Sequence, residues 1–421
     1  MPAARHASPQ RPSNVRHARN HRTHRVLRGT ALVTVALLAF GGTAVYATYA
    51  RLTNNIRQVD VSALLGPRPT PSAVVAAGDD PNAGQDVNIL LLGSDSRMGE
   101  NGDIGGRVTG GMRSDTAIVM HISADRSRVE MVSIPRDSLV EIPSCNTSTG
   151  EKTNTSSRAM FNEAFARGWD TGLDLESAAA CAWLTVEKNT GLVIDNFALV
   201  DFAGFEDMVD AIDGVPICIP VDLDDNKAKL HLTAGYQTLR GKDALAFARS
   251  RHNNASDGSD IGRIGNQQRL LAAMATEILH KDVLANWTQL LGLLNAATRS
   301  ITTSMSTTDI AGLGYSMRGV RGGDITLMTV PWGTPADDKN RVEWTSEADI
   351  VWANMAADVP ILDGTSEEPE ASATPSATPS ASATPGATAT PGKSATPKPK
   401  ATRKAGREAF TLDDSTASCT Q

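Results

Sequence analysis

Arginine and aspartate recur in this sequence at spacings that suit the handling of a phosphate. The densest case is residues 249–269, RSRHNNASDGSDIGRIGNQQR. Arg249 and Arg251 sit two apart, so they converge on one partner only where the chain has left a helix or become extended. The Asn/Ser/Asp/Gly-rich loop behind them ends at Asp260, a residue type suited to cap the next helix. Arg263 and Gln267 then fall four apart, on one face of that helix's first turns. An arginine and an amide at a helix start, faced by two more arginines, match a phosphate or pyrophosphate. Read alone, the same stretch also fits a solvated basic face with ordinary carboxylate partners.

Three shorter motifs carry the same pair of residue types. LLGSDSR places Asp95 and Arg97, RSDT places Arg113 and Asp115, and IPRD places Arg136 and Asp137. Carboxylates beside arginines suit a hard cation with a pyrophosphate: aspartate oxygens hold Mg²⁺, or Mn²⁺ in its place, and guanidiniums grip the remaining phosphate oxygens. A purely structural set of Asp–Arg pairs is the competing reading for any one motif. Four motifs together weaken it.

The elements that must position these residues are legible from periodicity. Strands are predicted over 87–92, 116–122 and 128–134, the last two joined by the five-residue turn SADRS as an antiparallel hairpin. If the first strand is also antiparallel to the second, all three motifs meet at one end of the sheet, with Arg113 and Asp115 on a common face. Helices are expected over 159–166, 175–189, 203–212, 241–248, 263–281, 283–297, 308–317 and 346–355. Further strands are expected over 194–201, 215–219 and 325–330. Their irregular interleaving predicts an α/β fold, an α-β-α sandwich around a mixed sheet.

The flanks predict a membrane protein. Residues 1–28 hold seven arginines and no acid, so the net charge of −7 leaves −14 for the rest of the chain. Residues 29–50 carry no charged side chain and match the roughly 20 needed to cross a bilayer. The arginine-rich flank orients the N-terminus to the cytoplasm and everything after the span to the outside. A cleaved signal peptide is the alternative, but the apolar run is longer than its usual core. The four histidines at 6, 17, 21 and 24 match no metal spacing and belong to the basic tail. The organisation read from this is a tail (1–28), an anchor (29–50), a stalk (51–85) and a catalytic domain (86–363). An Ala/Thr/Ser/Pro-rich linker (364–409), expected to be disordered, and a C-terminal tail (410–421) follow. An aromatic content of 4% argues against a base-stacking surface, so no nucleic-acid partner is expected. Cys145, Cys181, Cys218 and Cys419 lack CxxC spacing, which disfavours zinc and suits disulfides outside the cytoplasm. Of three possible connectivities, Cys181–Cys218 with Cys145–Cys419 is preferred, because the first two lie within regular structure.

LLGSDSR, RSDT, SIPRDS, VDFAGFEDMVDAIDGV, LRGKDALAFARSR and SDIGRIGNQQR occur in that order, and together they resemble the LytR-CpsA-Psr proteins of bacterial envelopes. The resemblance covers about residues 86–281. It implies transfer of a glycopolymer from an undecaprenyl-pyrophosphate carrier to peptidoglycan, with Mg²⁺ and an apolar channel for the lipid. Carried over, Asp95 and Asp115 are the metal-side carboxylates. Arg113, Arg136, Arg249, Arg251, Arg263 and Gln267 form the pyrophosphate clamp, with Arg97 and Asp137 in matched motifs of less defined role. Asn266 stands where the family often has arginine. Apolar runs over 175–186 and 270–279 are candidates for the channel wall, or for plain core. A pyrophosphatase, a carrier-binding protein and a transcriptional attenuator are the alternatives; the last is disfavoured because the basic tail lacks a recognition helix.

Overall fold

The computed structural model describes residues 20–68, 80, 82–94, 112–251, 260–280, 287–365, 402–414, 416 and 419. The chain divides into two compact units, residues 1–54 and 55–421. The first is built on helix α1 (Asn20–Asn55). Its segment Val26–Asn55 is 30 residues long with a mean hydropathy of 1.8, long and apolar enough to cross a membrane. Side chains such as Leu32, Leu38 and Phe40 are exposed on it, as a lipid-facing helix requires.

The second unit is organised by an eight-stranded sheet. Its strands are β1 (Arg57–Gln58), β2 (Val87–Ser94), β3 (Ser114–Ile122), β4 (Val129–Ile134), β5 (Asn196–Val200), β6 (Ile301–Thr303), β7 (Ile325–Thr329) and β8 (Phe410–Thr411). Their order is β1-β6-β5-β2-β3-β4-β7-β8. β2, β3 and β4 form an antiparallel meander, while β5 and β7 add in parallel on either side of it. The sheet is mixed, as expected. β2 is apolar along nearly its whole length because both its faces are covered.

One face is packed by α2 (Asn162–Gly172), α3 (Leu175–Thr190) and α8 (Ser346–Ala356). Leu90, Leu92, Val119 and Val132 meet Phe165, Cys181 and Trp352 there in one core. α3 starts where Asp174 accepts from the Ser177 N–H at 2.7 Å and stops at Gly191, whose φ of 72° suits glycine. Gly168 allows α2 and α3 to touch, since a Cβ there would stand 2.3 Å from the Ser177 carbonyl oxygen. The run over 175–186 is therefore core, not channel. On the other face, α7 (Thr307–Ser316) covers one end of the meander through Leu313. The opposite end faces α4 (Phe202–Ala211), α5 (Gly241–Arg249) and α6 (Asp260–His280). These three helices form a core of their own with the hairpins over 215–239, around Val209, Phe247 and Leu270.

Two local expectations are corrected. Residues Ser156–Met160 form a strand paired with Leu139–Ile142, and the helix begins only at Asn162. Pairing across the two segments overrides the helical propensity of Ala159 and Met160. The disulfides are Cys145–Cys181 and Cys218–Cys419, not Cys181–Cys218 with Cys145–Cys419. Cys181 faces the α2/α3/α8 core, whereas Cys218 lies on a hairpin of the α4–α6 side. Regular structure placed them in different layers.

Candidate active site

Strand directions bring the motifs to one end of the sheet. Ser94 of β2 lies opposite Ser114 of β3, and Ala117 of β3 opposite Ile134 of β4. The exit of β2, the entry of β3 and the exit of β4 therefore share an edge. A register irregularity between Gly93 and Ser94 re-aims the chain there. Asp95 and Arg97, expected just beyond, lie outside the described residues. Arg113 is exposed immediately before β3, and Asp115 is half-buried on it.

Arg136 leaves β4 behind Pro135, which cannot continue the ladder. One of its guanidinium nitrogens donates to Asp115 Oδ1 at 2.8 Å. Its Nε stands 3.4 Å from Asp260 Oδ1 and 3.7 Å from Asp137 Oδ1. Asp260 Oδ1 also receives Arg263 at 2.7 Å and Arg251 at 3.3 Å. Arg263 further donates to the Asp115 carbonyl oxygen at 2.8 Å, and its other terminal nitrogen is 3.7 Å from Asp115 Oδ2. Three guanidiniums thus converge on one buried carboxylate oxygen at the start of α6. Asp260 is the residue that sequence reasoning undervalued. It opens the helix as a cap-type residue would, but its charge holds the arginines. Its spacing of three from Arg263 was the available signal.

Burial sets the electrostatics. It disfavours ionisation of Asp115, yet Arg263, the Arg136 hydrogen bond and Arg251 outweigh it and hold that carboxyl below the usual range. At Asp260 burial wins over Arg263, Arg251 and Arg136, and the pKa is raised. Burial likewise lowers Arg263 to about 10. The Nε–H groups of Arg136 and Arg263 are buried without a hydrogen-bond partner among the described residues. Unfilled donors of this kind suit an incoming anion. Because the Asp115 pKa is depressed, its contribution to stability is complete above its unfolded value and lost as pH falls through the folded one. Unfolding curves should show a constant deficit for Asp115→Asn above about pH 5, shrinking below about pH 4. A deficit unchanged at acid pH would contradict this.

Arg249 and Gln267 occupy a neighbouring position. Arg249 lies over the Phe202 ring, 4.6 Å from its centroid, and Gln267 donates to the Ala248 carbonyl at 3.3 Å. Both line an apolar cavity of about 220 Å³ between the sheet and helices α4–α6, walled by residues such as Leu91, Ile118, Phe205 and Leu270. Leu270, Leu271 and Met274 of the run 270–279 supply part of this wall, while Leu270 also belongs to the core of helices α4–α6. A second, polar cavity of about 670 Å³ opens on Arg136, Asp137, Arg251 and Asp260. Arg249 and Arg251, two residues apart, belong one to each cavity.

Among the described residues, no group of three or more His, Cys, Asp or Glu is placed to hold a metal. Asp115 is the described carboxylate of the expected pair, ionised and with Oδ2 only loosely engaged. That fits Mg²⁺, which uses one or two carboxylates plus substrate phosphates.

A family model described as the LytR_cpsA_psr family matches residues 48–354. The chain is 30% identical over 260 residues to the cell wall biosynthesis protein LcpA of Corynebacterium glutamicum, covering 58% of this chain and 50% of LcpA. It is 28% identical over 258 residues to the regulatory protein MsrR of Staphylococcus aureus, covering 60% and 67% respectively. Among solved structures, a LytR-Csp2A-Psr enzyme from Actinomyces oris shares the fold with a TM-score of 0.51 at 22% identity, covering 72% of this chain and 96% of that one. The chain spans only half the length of LcpA, so the matches bear on its family and fold. It belongs to the LytR_cpsA_psr family.

Proposed function

We propose that this protein is a membrane-anchored phosphotransferase that moves a glycopolymer from an undecaprenyl-pyrophosphate carrier to peptidoglycan, acting outside the cytoplasmic membrane. The convergence of Arg136, Arg251 and Arg263, with Arg249 two residues from Arg251 lining an apolar cavity, carries this reading. A lipid pyrophosphate has that pattern, an apolar chain joined to two phosphates. Membership of a family that includes a cell wall biosynthesis protein supports it.

In this reading the apolar cavity takes the carrier-proximal part of the lipid, with Arg249 and Gln267 at its polar rim. Arg136, Arg251 and Arg263 grip the pyrophosphate, and Arg113 stands at the same sheet edge. A peptidoglycan hydroxyl oxygen attacks the glycan-proximal phosphorus. The new P–O bond forms as the bond to the bridging oxygen breaks, and undecaprenyl phosphate leaves with that electron pair. The hydroxyl proton passes to a carboxylate. Asp137, beside Arg136, suits this, since Asp115 is the carboxylate that would face the cation. Mg²⁺, or Mn²⁺, would be held by Asp115 with Asp95 and would supply positive charge to the phosphate oxygens. The guanidiniums stabilise charge developing on those oxygens.

The test uses the full chain in detergent with a synthetic polyprenyl-pyrophosphate glycan, Mg²⁺ and peptidoglycan oligomers. Mass spectrometry should find glycan and acceptor joined by a phosphodiester. Polyprenyl phosphate released without joining would instead identify a hydrolase, and tight binding without chemistry a carrier-binding protein.

A further inference from the structure

The chain between Arg249 and Arg251 is held from outside. α5 ends at Arg249, and Ser250, with a φ of −64° and a ψ of 130°, is the first residue to leave the helix. Its N–H donates to the Phe247 carbonyl at 3.3 Å. Two side chains from elsewhere grip this exit. Gln267 of α6 donates to the Ala248 carbonyl at 3.3 Å, filling one of the acceptors that a helix end leaves open. Asp225 takes the residues beyond: its Oδ2 accepts from the Ser250 hydroxyl at 2.9 Å and from the Arg251 N–H at 3.0 Å.

Asp225 is itself firmly mounted. It closes the strand Leu223–Asp225, which pairs antiparallel with Leu230–Leu232, and its Oδ1 accepts from the Lys227 and Ala228 N–H groups at 3.0 and 3.1 Å across the turn. Leu223, Leu230 and Leu232 are buried with Phe247 and Ala248, so the hairpin and the end of α5 share one core. Asp225 is only 1% exposed, and a buried carboxylate needs donors around it. Oδ1 suffices for the turn. The bonds to Oδ2 come from 25 and 26 residues along the chain. Asp225 lines neither cavity, whereas Arg249 lines the apolar one and Arg251 the polar one. Its effect on a ligand therefore passes through the segment it holds.

We propose that Asp225 is a positioning residue for the phosphate clamp. By holding the Ser250 hydroxyl and the Arg251 N–H, it fixes the point at which α5 stops, and with it the division of Arg249 to the apolar cavity and Arg251 to Asp260. Were α5 to run on through 251, the two side chains would lie about 200° apart around its axis. Were the chain extended from 249, they would share one face. The exit held by Asp225 instead serves a ligand with an apolar chain in one cavity and phosphates in the other. The proposal rests on the transferase reading for the identity of that ligand, but the coupling it asserts is measured by binding alone.

The probe is geranyl pyrophosphate titrated into the full chain in detergent, followed by calorimetry. Asp225→Asn is the informative variant. Its amide oxygen can serve the two turn N–H groups, while its amide nitrogen donates to the Ser250 hydroxyl and opposes the Arg251 N–H, so the hairpin is kept and Arg251 released. Asp225→Asn and Arg251→Ala should each weaken binding about tenfold, and the double variant no more than about twofold beyond Arg251→Ala. Ser250→Ala, which removes one donor and keeps the Arg251 bond, should cost about threefold. In the transfer assay, Asp225→Asn should raise the donor KM about tenfold and leave the acceptor KM unmoved. A merely structural residue would lower the active fraction, leaving both KM values in place and multiplying its loss with that of Arg251→Ala. That pattern, wild-type affinity in Asp225→Asn, or a wild type that does not bind the probe at about 1 mM would overturn the proposal. The coupled loss in a protein that performs no transfer would sink the transferase reading alone.

Discussion

Replacing Arg136 with alanine should lower kcat for transfer by about 10²- to 10³-fold, the range seen when one preorganised donor to a developing negative charge is removed. Arg136 is placed for this by three independent constraints. Pro135 ends the strand before it, its guanidinium donates to Asp115 at 2.8 Å, and its Nε faces Asp260 at 3.4 Å. Its side chain keeps 24% of its surface exposed against 4% for Arg263, so it is the more open of the two to a substrate. The fold should tolerate the change, because Asp115 retains Arg263 and Asp260 retains Arg251 and Arg263. Lysine should rescue little, since a point charge cannot address two phosphate oxygens in the plane of a fork. Steady-state kinetics separate the cases. A rise in KM with unchanged kcat would make Arg136 a ground-state anchor, and wild-type values in both would remove it from the chemistry.

The sheet edge was legible because its determinants are local. RSDT and IPRD flank a hairpin with a short turn, and an antiparallel hairpin necessarily brings its two open ends together. The start of α6 was legible for the same reason: Arg263 and Gln267 share a face at helical spacing whatever the tertiary context. What could not be read depended on partners far apart in the chain. The spacing of Asp260 fits a cap and an ion-pair anchor equally, and only the arrival of Arg136 from β4 decides. The disulfide pairing depends on which layer each cysteine joins, a property of topology and not of spacing. Residues 402–414 carry no strong periodicity, and their order comes from the close approach of Gly406 to Gly265, the bond from the Gly406 N–H to buried Gln268 and the pairing of β8 with β7. The apolar run over 175–186 has the composition of a channel wall, but its helix faces the other side of the sheet from the cavity.

The buried Arg263–Asp260 pair should prove costly to break and dispensable to stability when replaced as a unit. Burial acts against both charges, raising the Asp260 pKa and lowering that of Arg263 to about 10, so each ion has lost more to desolvation than its neighbours return. Arg263→Met alone removes the 2.7 Å partner of Asp260 and the 2.8 Å donor to the Asp115 carbonyl, and should cost about 3–5 kcal/mol in denaturant unfolding of the full chain. Asp260→Leu alone leaves Arg263 buried, with only the Asp115 contacts, and should cost a similar amount. The double variant Asp260→Leu/Arg263→Met replaces the pair with apolar groups and should recover to within about 1–2 kcal/mol of wild type. The residue of the cost is the Asp115 carbonyl, which loses its donor. Arg136 keeps Asp115 and Asp137, and Arg251, at 22% exposure, can turn to water. Transfer, in contrast, should stay at least about 10²-fold down in the double variant, because a guanidinium aimed at the phosphates is gone and the anchor for two others with it. Additive destabilisation in the double variant would show that the pair contributes net stability. Recovered stability with recovered transfer would take Arg263 out of the substrate clamp. Recovered stability without transfer is the expected result, and it would mean that the charges are retained at the start of α6 for the anion they bind.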